Sequence, residues 1–182
     1  MQQVSRYRHF GGDSAPGPAA AEDSRDFALE DFLPYQISVA ANRISRLFAR
    51  RYSQAFGISI AEWRVMAVLG RFGTLSPGGI TERTEMDKVK VSRAAARLAA
   101  AGLLLSEPDK ADGRARRFGL TPRGLRMHAA IIPLARALEA ELAAGMSPAD
   151  WQALHLLLPR ITEHARGLEE NEPGPAPDVT ET

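Results

Sequence analysis

The 182-residue chain is long enough for one domain with a substantial core and too short for two large domains. Its 45% hydrophobic and 25% charged residues are typical of a globular protein, and its net charge at pH 7 is +1. The absence of cysteine excludes disulfide bonds, thiolate metal ligands and cysteine-based redox sensing. Because no long apolar run or secretory signal is present, we expect a cytoplasmic protein that makes no contact with a membrane.

Charge is unevenly distributed along the chain. Residues 1–32 carry a net charge of −3, and residues 168–182 carry −5. Residues 33–167 hold 20 basic and 11 acidic side chains, a net charge of +9, and residues 83–126 alone contribute +6. Such a basic centre is expected of a nucleic-acid-binding protein, although a solvated basic surface between acidic tails would give the same distribution.

The predicted elements begin after a polar N-terminal segment. Residues 1–30 lack apolar periodicity and are predicted to form a disordered arm. Apolar residues then recur at three- and four-residue steps from Leu33, which predicts a long amphipathic helix that stops at Gly57. A second helix is predicted to begin near residue 59 or 61 and to end before Gly73.

The middle of the chain predicts two short helices followed by a hairpin. Ser76 and the proline after it start a helix that runs to about residue 84. Asp87 starts the next helix, which runs to residue 101 and is closed by Gly102. Strands are predicted at Leu103–Glu107 and Arg116–Leu120, joined by the turn sequence PDKADGRA.

The last third of the chain predicts two further helices. A Thr-Pro pair at 121–122 starts a helix that runs to about Ala144, and a Ser-Pro pair at 147–148 starts one that runs to about Gly167. Both keep apolar residues at helical spacing. The acidic residues 168–182 are predicted to form a disordered tail.

The helix that begins at Asp87 separates cations from apolar residues. On a helical wheel three cations share a stripe about 60° wide: Lys90, Arg93 and Arg97. The opposing apolar stripe consists of Val91, Ala95 and Leu98. Lys88 and Lys90 lie in the first turn, where the helix dipole disfavours positive charge by roughly 0.3–1 kcal/mol each. A polyanion such as DNA, approaching the N-terminal end of this helix, would explain that placement.

The predicted hairpin adds a second basic group. Arg114, Arg116 and Arg117 lie on or beside its tip. Arginine is weakly hydrated and is attracted by the negative potential of a narrow minor groove. Asp112 is placed to hold one of these arginines in position.

Together these features resemble the MarR family of bacterial transcription regulators. VSR at 91–93, RL at 97–98 and GL at 102–103 are similar to the family's recognition helix and its exit. DGRARR at 112–117 fits the D-x-R-x-x-R wing motif, and LTPRG at 120–124 fits the L-T-x-x-G exit. The combination covers most of the chain and is more specific than any one of these motifs.

The resemblance implies a mainly α (α+β) fold. A winged helix-turn-helix DNA-binding domain would occupy residues 58–120. A helical dimerisation domain would be made from the first helix and the last two helices, residues 31–57 and 121–167. The protein would bind a pseudo-palindromic operator in double-stranded DNA as a homodimer and act as a sequence-specific transcriptional regulator, in the role of a repressor.

The resemblance also assigns residues. The DNA-binding set is Ser76, Lys88, Lys90, Ser92, Arg93, Arg97, Arg114, Arg116 and Arg117, with Asp112 orienting the wing. Many family members release DNA on binding a small aromatic or phenolic anion, for which the candidate contacts are Arg46, Tyr52, Trp63 and Arg64. Two positions depart from the family pattern, since Glu85 stands where glycine is common and Thr84 where leucine is usual. These departures leave the turn before the recognition helix undefined.

Other classes of function receive little support. The sequence has no H-E-x-x-H, phosphate-loop or G-x-S-x-G motif, so we predict no enzymatic activity and no cofactor. His155 and His164 are nine residues apart and fall half a turn out of phase on a straight helix, which argues against a metal site. The alternative to a regulator is a winged-helix protein-interaction or structural module that does not read DNA.

Overall fold

The chain divides into two compact units, residues 1–47 and 48–182. The computed structural model describes residues 27–108 and 116–172 of them. The described part of the first unit begins with a 3-10 turn at Leu29–Asp31, which the sequence did not predict. The rest of the predicted arm, the tip of the wing and most of the predicted tail lie outside the described residues.

Six α-helices and one two-stranded antiparallel sheet make up the regular structure of the described residues. The helices are α1 (Leu33–Phe56), α2 (Ile60–Phe72), α3 (Pro77–Thr84), α4 (Lys88–Ala100), α5 (Pro122–Ala143) and α6 (Pro148–Asn171). The strands β1 (Leu104–Pro108) and β2 (Arg116–Leu120) lie between α4 and α5. The predicted mainly α fold with a winged helix-turn-helix region is confirmed.

Side-chain caps set the starts of five helices. In each, a hydroxyl or carboxylate oxygen accepts a hydrogen bond from the backbone N–H three residues later, and the caps are Ser59, Ser76, Asp87, Thr121 and Ser147. In α3, α5 and α6 a proline follows the cap. A backbone N–H at this position has no hydrogen-bond partner within the helix, so proline, which lacks the N–H, is well tolerated there. The four starts predicted at Ser76, Asp87, Thr121 and Ser147 are confirmed. The start that the sequence left open at residue 59 or 61 is set by the Ser59 cap.

Two predicted boundaries differ slightly from the structure. Strand β1 begins at Leu104 rather than Leu103, because the N–H of Leu103 donates to the carbonyl of Leu98, 2.9 Å away, as α4 ends. Helix α6 continues past the predicted end at Gly167 to Asn171. The residues after Gly167 include leucine and two glutamates, which favour helix and extend it.

The core of the second unit is formed mainly by the winged-helix elements. The large side chains that are almost completely buried include Val65, Met66, Ile80, Leu98, Ile131 and Leu138. The predicted apolar stripe of α4 is buried as expected, and Ala94 joins it. This packing fixes the orientation of α4, so its opposite face is held outward.

The two strands form the base of a wing. Leu104 pairs with Leu120 at one end of the sheet and Pro108 with Arg116 at the other. On the opposite edge of β2, Leu75 and Phe118 exchange backbone hydrogen bonds of 2.9 and 2.7 Å. The loop before α3 is thereby attached to the wing.

Candidate nucleic-acid interface

Helix α4 presents the exposed cationic face that its sequence predicts. Lys90, Arg93 and Arg97 are all exposed, as are the predicted DNA contacts Lys88 and Ser92. The buried residues of the same helix anchor it to the core. A helix packed on one side and basic on the other has the form expected of a major-groove reader.

The start of α4 combines a capping acid with lysines. The Asp87 carboxylate accepts a hydrogen bond from the backbone N–H of Lys90 at 2.7 Å, and its other oxygen lies 3.1 Å from Lys90 Nζ. The backbone hydrogen bond, together with the lysine, lowers the pKa of Asp87. Asp87 thus neutralises part of the Lys90 charge, while Lys88 stays exposed at the helix tip.

Arg97 lies farther along the same face and has an acidic neighbour. Its guanidinium is 3.9 Å from Glu62, whose buried carboxylate also completes the capping box with Ser59 at the start of α2. The Arg97 side chain is still 77% exposed. Its charge therefore remains available to a phosphate, while the glutamate restrains its position.

Two of the predicted wing arginines also hold the wing together. Arg116 donates to the hydroxyl and the carbonyl of Ser106 on the paired strand, at 2.9 and 3.1 Å. Arg117 donates to the carbonyl of Thr74 at 2.7 Å, which joins β2 to the loop before α3. Arg114 and Asp112 lie outside the described residues, so their assigned roles stay predictions.

The start of α3, the start of α4 and the wing border one hollow. A cavity of about 530 Å³ is lined by Pro77 and Gly78 of α3, by Lys88 and Ser92 of α4, and by Phe118 of β2. The predicted contact Ser76 is exposed directly before Pro77. Ser76, Lys88 and Ser92 of the predicted DNA-binding set therefore lie around this hollow. The other described cations of α4 border a separate hollow beside the start of α2.

Comparison with known proteins agrees with this arrangement. Residues 56–115, which hold α2 to α4 and the start of the wing, match the sequence model of the MarR family. This winged-helix region is therefore similar to the MarR family. No curated protein sequence matches the chain significantly.

Solved MarR-type structures share the fold. A MarR/EmrR family transcriptional regulator from Acinetobacter sp. ADP1 matches with a TM-score of 0.71 and 24% identity, over 78% of this chain and 99% of that chain. Bordetella bronchiseptica BpsR, described with regulation of its DNA binding by 6-hydroxynicotinic acid, matches with a TM-score of 0.70 and 24% identity, over 75% and 96%. The S. aureus MepR–DNA complex matches with a TM-score of 0.65 and 17% identity, over 77% and 99%.

The structure defines the turn at which this chain departs from the usual MarR pattern. Glu85 has φ 50° and ψ 36°, a left-handed conformation that glycine adopts without strain. This geometry accounts for the glycine that is common in the family at this position. The neighbouring Thr84 is buried, and its hydroxyl donates to the carbonyl of Ile80 at 2.7 Å, so the polar group carries a hydrogen bond inside the core.

The predicted ligand contacts differ in exposure. Tyr52 is 1% exposed, with its ring 5.6 Å from that of Trp63, and burial raises its pKa. Trp63 is half-buried, whereas Arg64 and Arg46 are exposed. The four assignments stay predictions, and Tyr52 serves as a core residue.

Sequence reasoning missed a histidine in this cluster. The rings of His128 and Trp63 are stacked, with centroids 5.7 Å apart and planes at 24°. Burial lowers the pKa of His128. A Cβ at Gly70 would lie 2.5 Å from the His128 ring, so a larger residue there would displace the ring from this position. An isolated glycine inside the predicted second helix was the signal that another side chain approaches closely.

The described residues contain no group of three or more histidine, aspartate or glutamate side chains able to hold a metal ion. His155 lies 3.7 Å from Glu139 and packs edge-on against Trp151. Within the same residues, no helix is both long and apolar enough to cross a membrane.

Proposed function

We propose that this protein is a homodimeric, sequence-specific DNA-binding transcriptional regulator that acts as a repressor. The observation that carries the proposal is the exposed basic face of α4, which lies beside the start of α3 and the wing. Lys88 and Lys90 occupy the first turn of that helix, where positive charge opposes the helix dipole. A phosphate backbone near this end would turn the unfavourable placement into a favourable one.

The roles of the basic residues follow from their positions. Lys88, Lys90, Ser92 and Arg93 lie in the first half of α4 and contact base edges or phosphates in the major groove. Arg97, farther along the helix and restrained by Glu62, contacts a phosphate. The wing, with Arg114 near its tip, enters the adjacent minor groove. Arg116 and Arg117 keep the wing in the orientation that this requires.

A second copy of the chain is proposed to cover the apolar face of α6. None of the residues of that helix is buried in the described structure. Its exposed apolar side chains are Leu156, Leu157, Leu158, Ile161 and Leu168. A stripe of this size in water is typical of an association surface. Residues 31–57 and 121–167 are therefore assigned to dimerisation and residues 58–120 to DNA binding.

A homodimer presents two recognition helices to DNA. For half-sites one helical turn apart, these helices are about 34–36 Å from centre to centre. The operator is then a pseudo-palindrome, since the two-fold symmetry of the protein is matched by the DNA.

A small aromatic anion is proposed to release the protein from DNA. BpsR, which shares this fold, is described as regulated in its DNA binding by 6-hydroxynicotinic acid. In this chain the partly exposed Trp63, stacked on His128, provides an aromatic surface, and the next residue in the sequence is the exposed Arg64. A thermal-shift assay with phenolic and pyridine carboxylates tests this, and a shift that disappears in Trp63→Leu is expected.

A gel-shift titration against the DNA upstream of the protein's own coding sequence tests the main proposal. Arg93→Ala should weaken binding roughly 5- to 150-fold if Arg93 contacts a base, which corresponds to about 1–3 kcal/mol. Equal binding by wild type and Arg93→Ala would favour the alternative, a winged-helix module that does not read DNA.

A further inference from the structure

Two arginine side chains pack against an exposed aromatic ring at the end of α2. Phe72 is 48% exposed, and the guanidinium carbons of Arg71 and Arg83 lie 5.1 and 5.0 Å from its ring centroid. Arginine over an aromatic face is held by electrostatic attraction to the ring. The ring thus holds both guanidinium groups near one point of the surface.

The same cluster borders a gap beside α3. Arg83 Nη1 donates to the carbonyl of Gly79 at 3.2 Å. A Cβ on Gly79 would lie 3.4 Å from Ser76 Oγ and 3.6 Å from Arg83 Nη1. Because Gly79 has no side chain, a small space stays open between a hydroxyl group and a guanidinium group.

This gap lies on α3, the helix whose first turn also borders the surface proposed to meet DNA. The loop before α3 is attached to the wing by the bond from Arg117 to Thr74 and by the pairing of Leu75 with Phe118. The first turn of α3 also lines the cavity that Lys88 and Ser92 of α4 border. A duplex seated on α4 and the wing would run past this turn.

The charge of the cluster is poorly compensated by the protein. Glu82 lies 3.6 Å from Arg83 Nη1, and the carboxylate is 79% exposed, so the pair is weak. Both guanidinium carbons lie within 5.1 Å of the same ring centroid, so their charges repel each other, and a bound anion would relieve this repulsion. Guanidinium groups and a hydroxyl are the donors that bind phosphate oxygens of a nucleic-acid backbone.

We infer that Arg71, Arg83 and Ser76 bind one backbone phosphate of the operator, outside the base pairs that α4 reads. Phe72 positions the two guanidinium groups, and Gly79 leaves room for the phosphate oxygens. The inference rests on the proposed function and extends the footprint of each half-site by one contact. A phosphate contact adds affinity and fixes register, and it carries no base preference.

The salt dependence of DNA binding tests this contact. In a homodimer, Arg71→Gln and Arg83→Gln should each reduce the slope of log K against log salt by about 0.9 per half-site, the value for one phosphate. The double variant should lose no more than either single variant, because both arginines share that phosphate. The ratio of operator affinity to scrambled-duplex affinity should stay at the wild-type value.

Gly79→Ala provides a second variant that adds volume and keeps every charge. Its methyl group would make ordinary contacts in the folded protein, so folding is retained while the phosphate space is filled. We expect it to lower the salt slope as the arginine variants do, with an unchanged or higher thermal midpoint.

The outcomes separate this inference from the proposed function. Suppose that wild type binds the operator and that the arginine variants have the same salt slope as wild type. The inferred phosphate site is then wrong, and the proposed function as a DNA-binding regulator is unaffected. A changed preference between operator and scrambled DNA would likewise overturn it, because the residues would then be reading bases. If wild type binds no duplex even at low salt, the proposed function itself fails.

Discussion

Gly124, the glycine of the L-T-x-x-G motif, lies against the exit of α4. A Cβ on it would lie 2.0 Å from the carbonyl oxygen of Leu103. The preceding Thr121 accepts from the N–H of Gly124 at 3.0 Å and donates to the carbonyl of Gly102 at 2.9 Å. The motif therefore joins the recognition helix to α5 through backbone contacts that no larger residue permits.

Gly124→Ala should destabilise the protein by about 1–3 kcal/mol or more, since the methyl group meets backbone that has no room to move. Urea unfolding followed by circular dichroism measures this change. Gly167→Ala is the control, because a Cβ there would meet nothing within 4 Å. It should stabilise the protein by roughly 0.5–1 kcal/mol. Equal stability of the two variants would contradict the proposed close approach.

Glu85 shows the opposite case, a side chain where glycine would fit. Its left-handed backbone costs an L-residue roughly 1–2 kcal/mol. The side chain accepts a hydrogen bond from Arg166 of α6 at 3.0 Å, which raises the pKa of Arg166. Both partners are largely exposed, so the ion pair offsets only part of the backbone cost.

Glu85→Gly should be more stable than Glu85→Gln by about 1 kcal/mol, with part of the relieved strain offset by the backbone entropy of glycine. Both variants lose the ion pair with Arg166, so their difference isolates the backbone. Guanidinium unfolding midpoints with unchanged m-values measure it. A glutamine variant as stable as the glycine variant would show that the turn is not left-handed in solution.

At the scale of whole elements, the contact of α2 with α5 depends on His128. Its ring stacks on Trp63 and fills the space above Gly70. Burial disfavours the protonated ring, so its pKa in the folded state lies below the ordinary value of 6.5. The unfolded chain therefore binds a proton more readily than the folded chain in that range.

The contribution of His128 to stability is present above pH 6.5 and is lost as the pH falls through its lowered pKa. The free energy of unfolding of wild type should therefore decrease between about pH 6.5 and 5 more than that of His128→Gln. His155→Gln is the control, since His155 is an exposed histidine on α6. Parallel pH profiles for wild type and His128→Gln would refute a buried neutral imidazole.

Element boundaries were largely predictable because they depend on local chemistry. Caps such as Ser76 and Thr121 bind backbone groups three residues away, so their effect is visible in a short window of sequence. The buried face of α4 followed from its periodicity for the same reason. Contacts between distant residues were not predictable, as with Arg117 and Thr74 or His128 and Gly70. These depend on how elements pack, which no local pattern contains.

The positive charge of the site could be predicted from the sequence, whereas the roles of its individual residues could be predicted less well. The exposed cations of α4 follow from the wheel, and the structure places them on one face. The bonds by which Arg116 and Arg117 brace the wing do not follow from the wing motif. The packing of Arg71 and Arg83 on Phe72 could not be predicted from a local sequence pattern either, because the two arginines lie on different helices.

At the scale of the molecule, the proposed dimer depends on the exposed leucines and isoleucine of α6. Ile161→Glu should place a charge in that interface and shift the protein from dimer toward monomer. Gln152→Glu, at an exposed polar position of the same helix, is the control and should leave the dimer intact. Sedimentation equilibrium distinguishes a mass of 19.8 kDa from twice that value. A wild-type protein that is monomeric at micromolar concentration would contradict the dimer.

The central claim is that a homodimer reads a specific DNA sequence through α4 and the wing. A fluorescence anisotropy titration of a labelled duplex from the protein's own upstream DNA, competed with a scrambled duplex, tests it most directly. We predict two chains per duplex, a preference for the upstream sequence of about 10³-fold or more, and affinity that falls linearly with salt on logarithmic axes. Equal competition by the scrambled duplex, or no binding at low salt, would contradict the account.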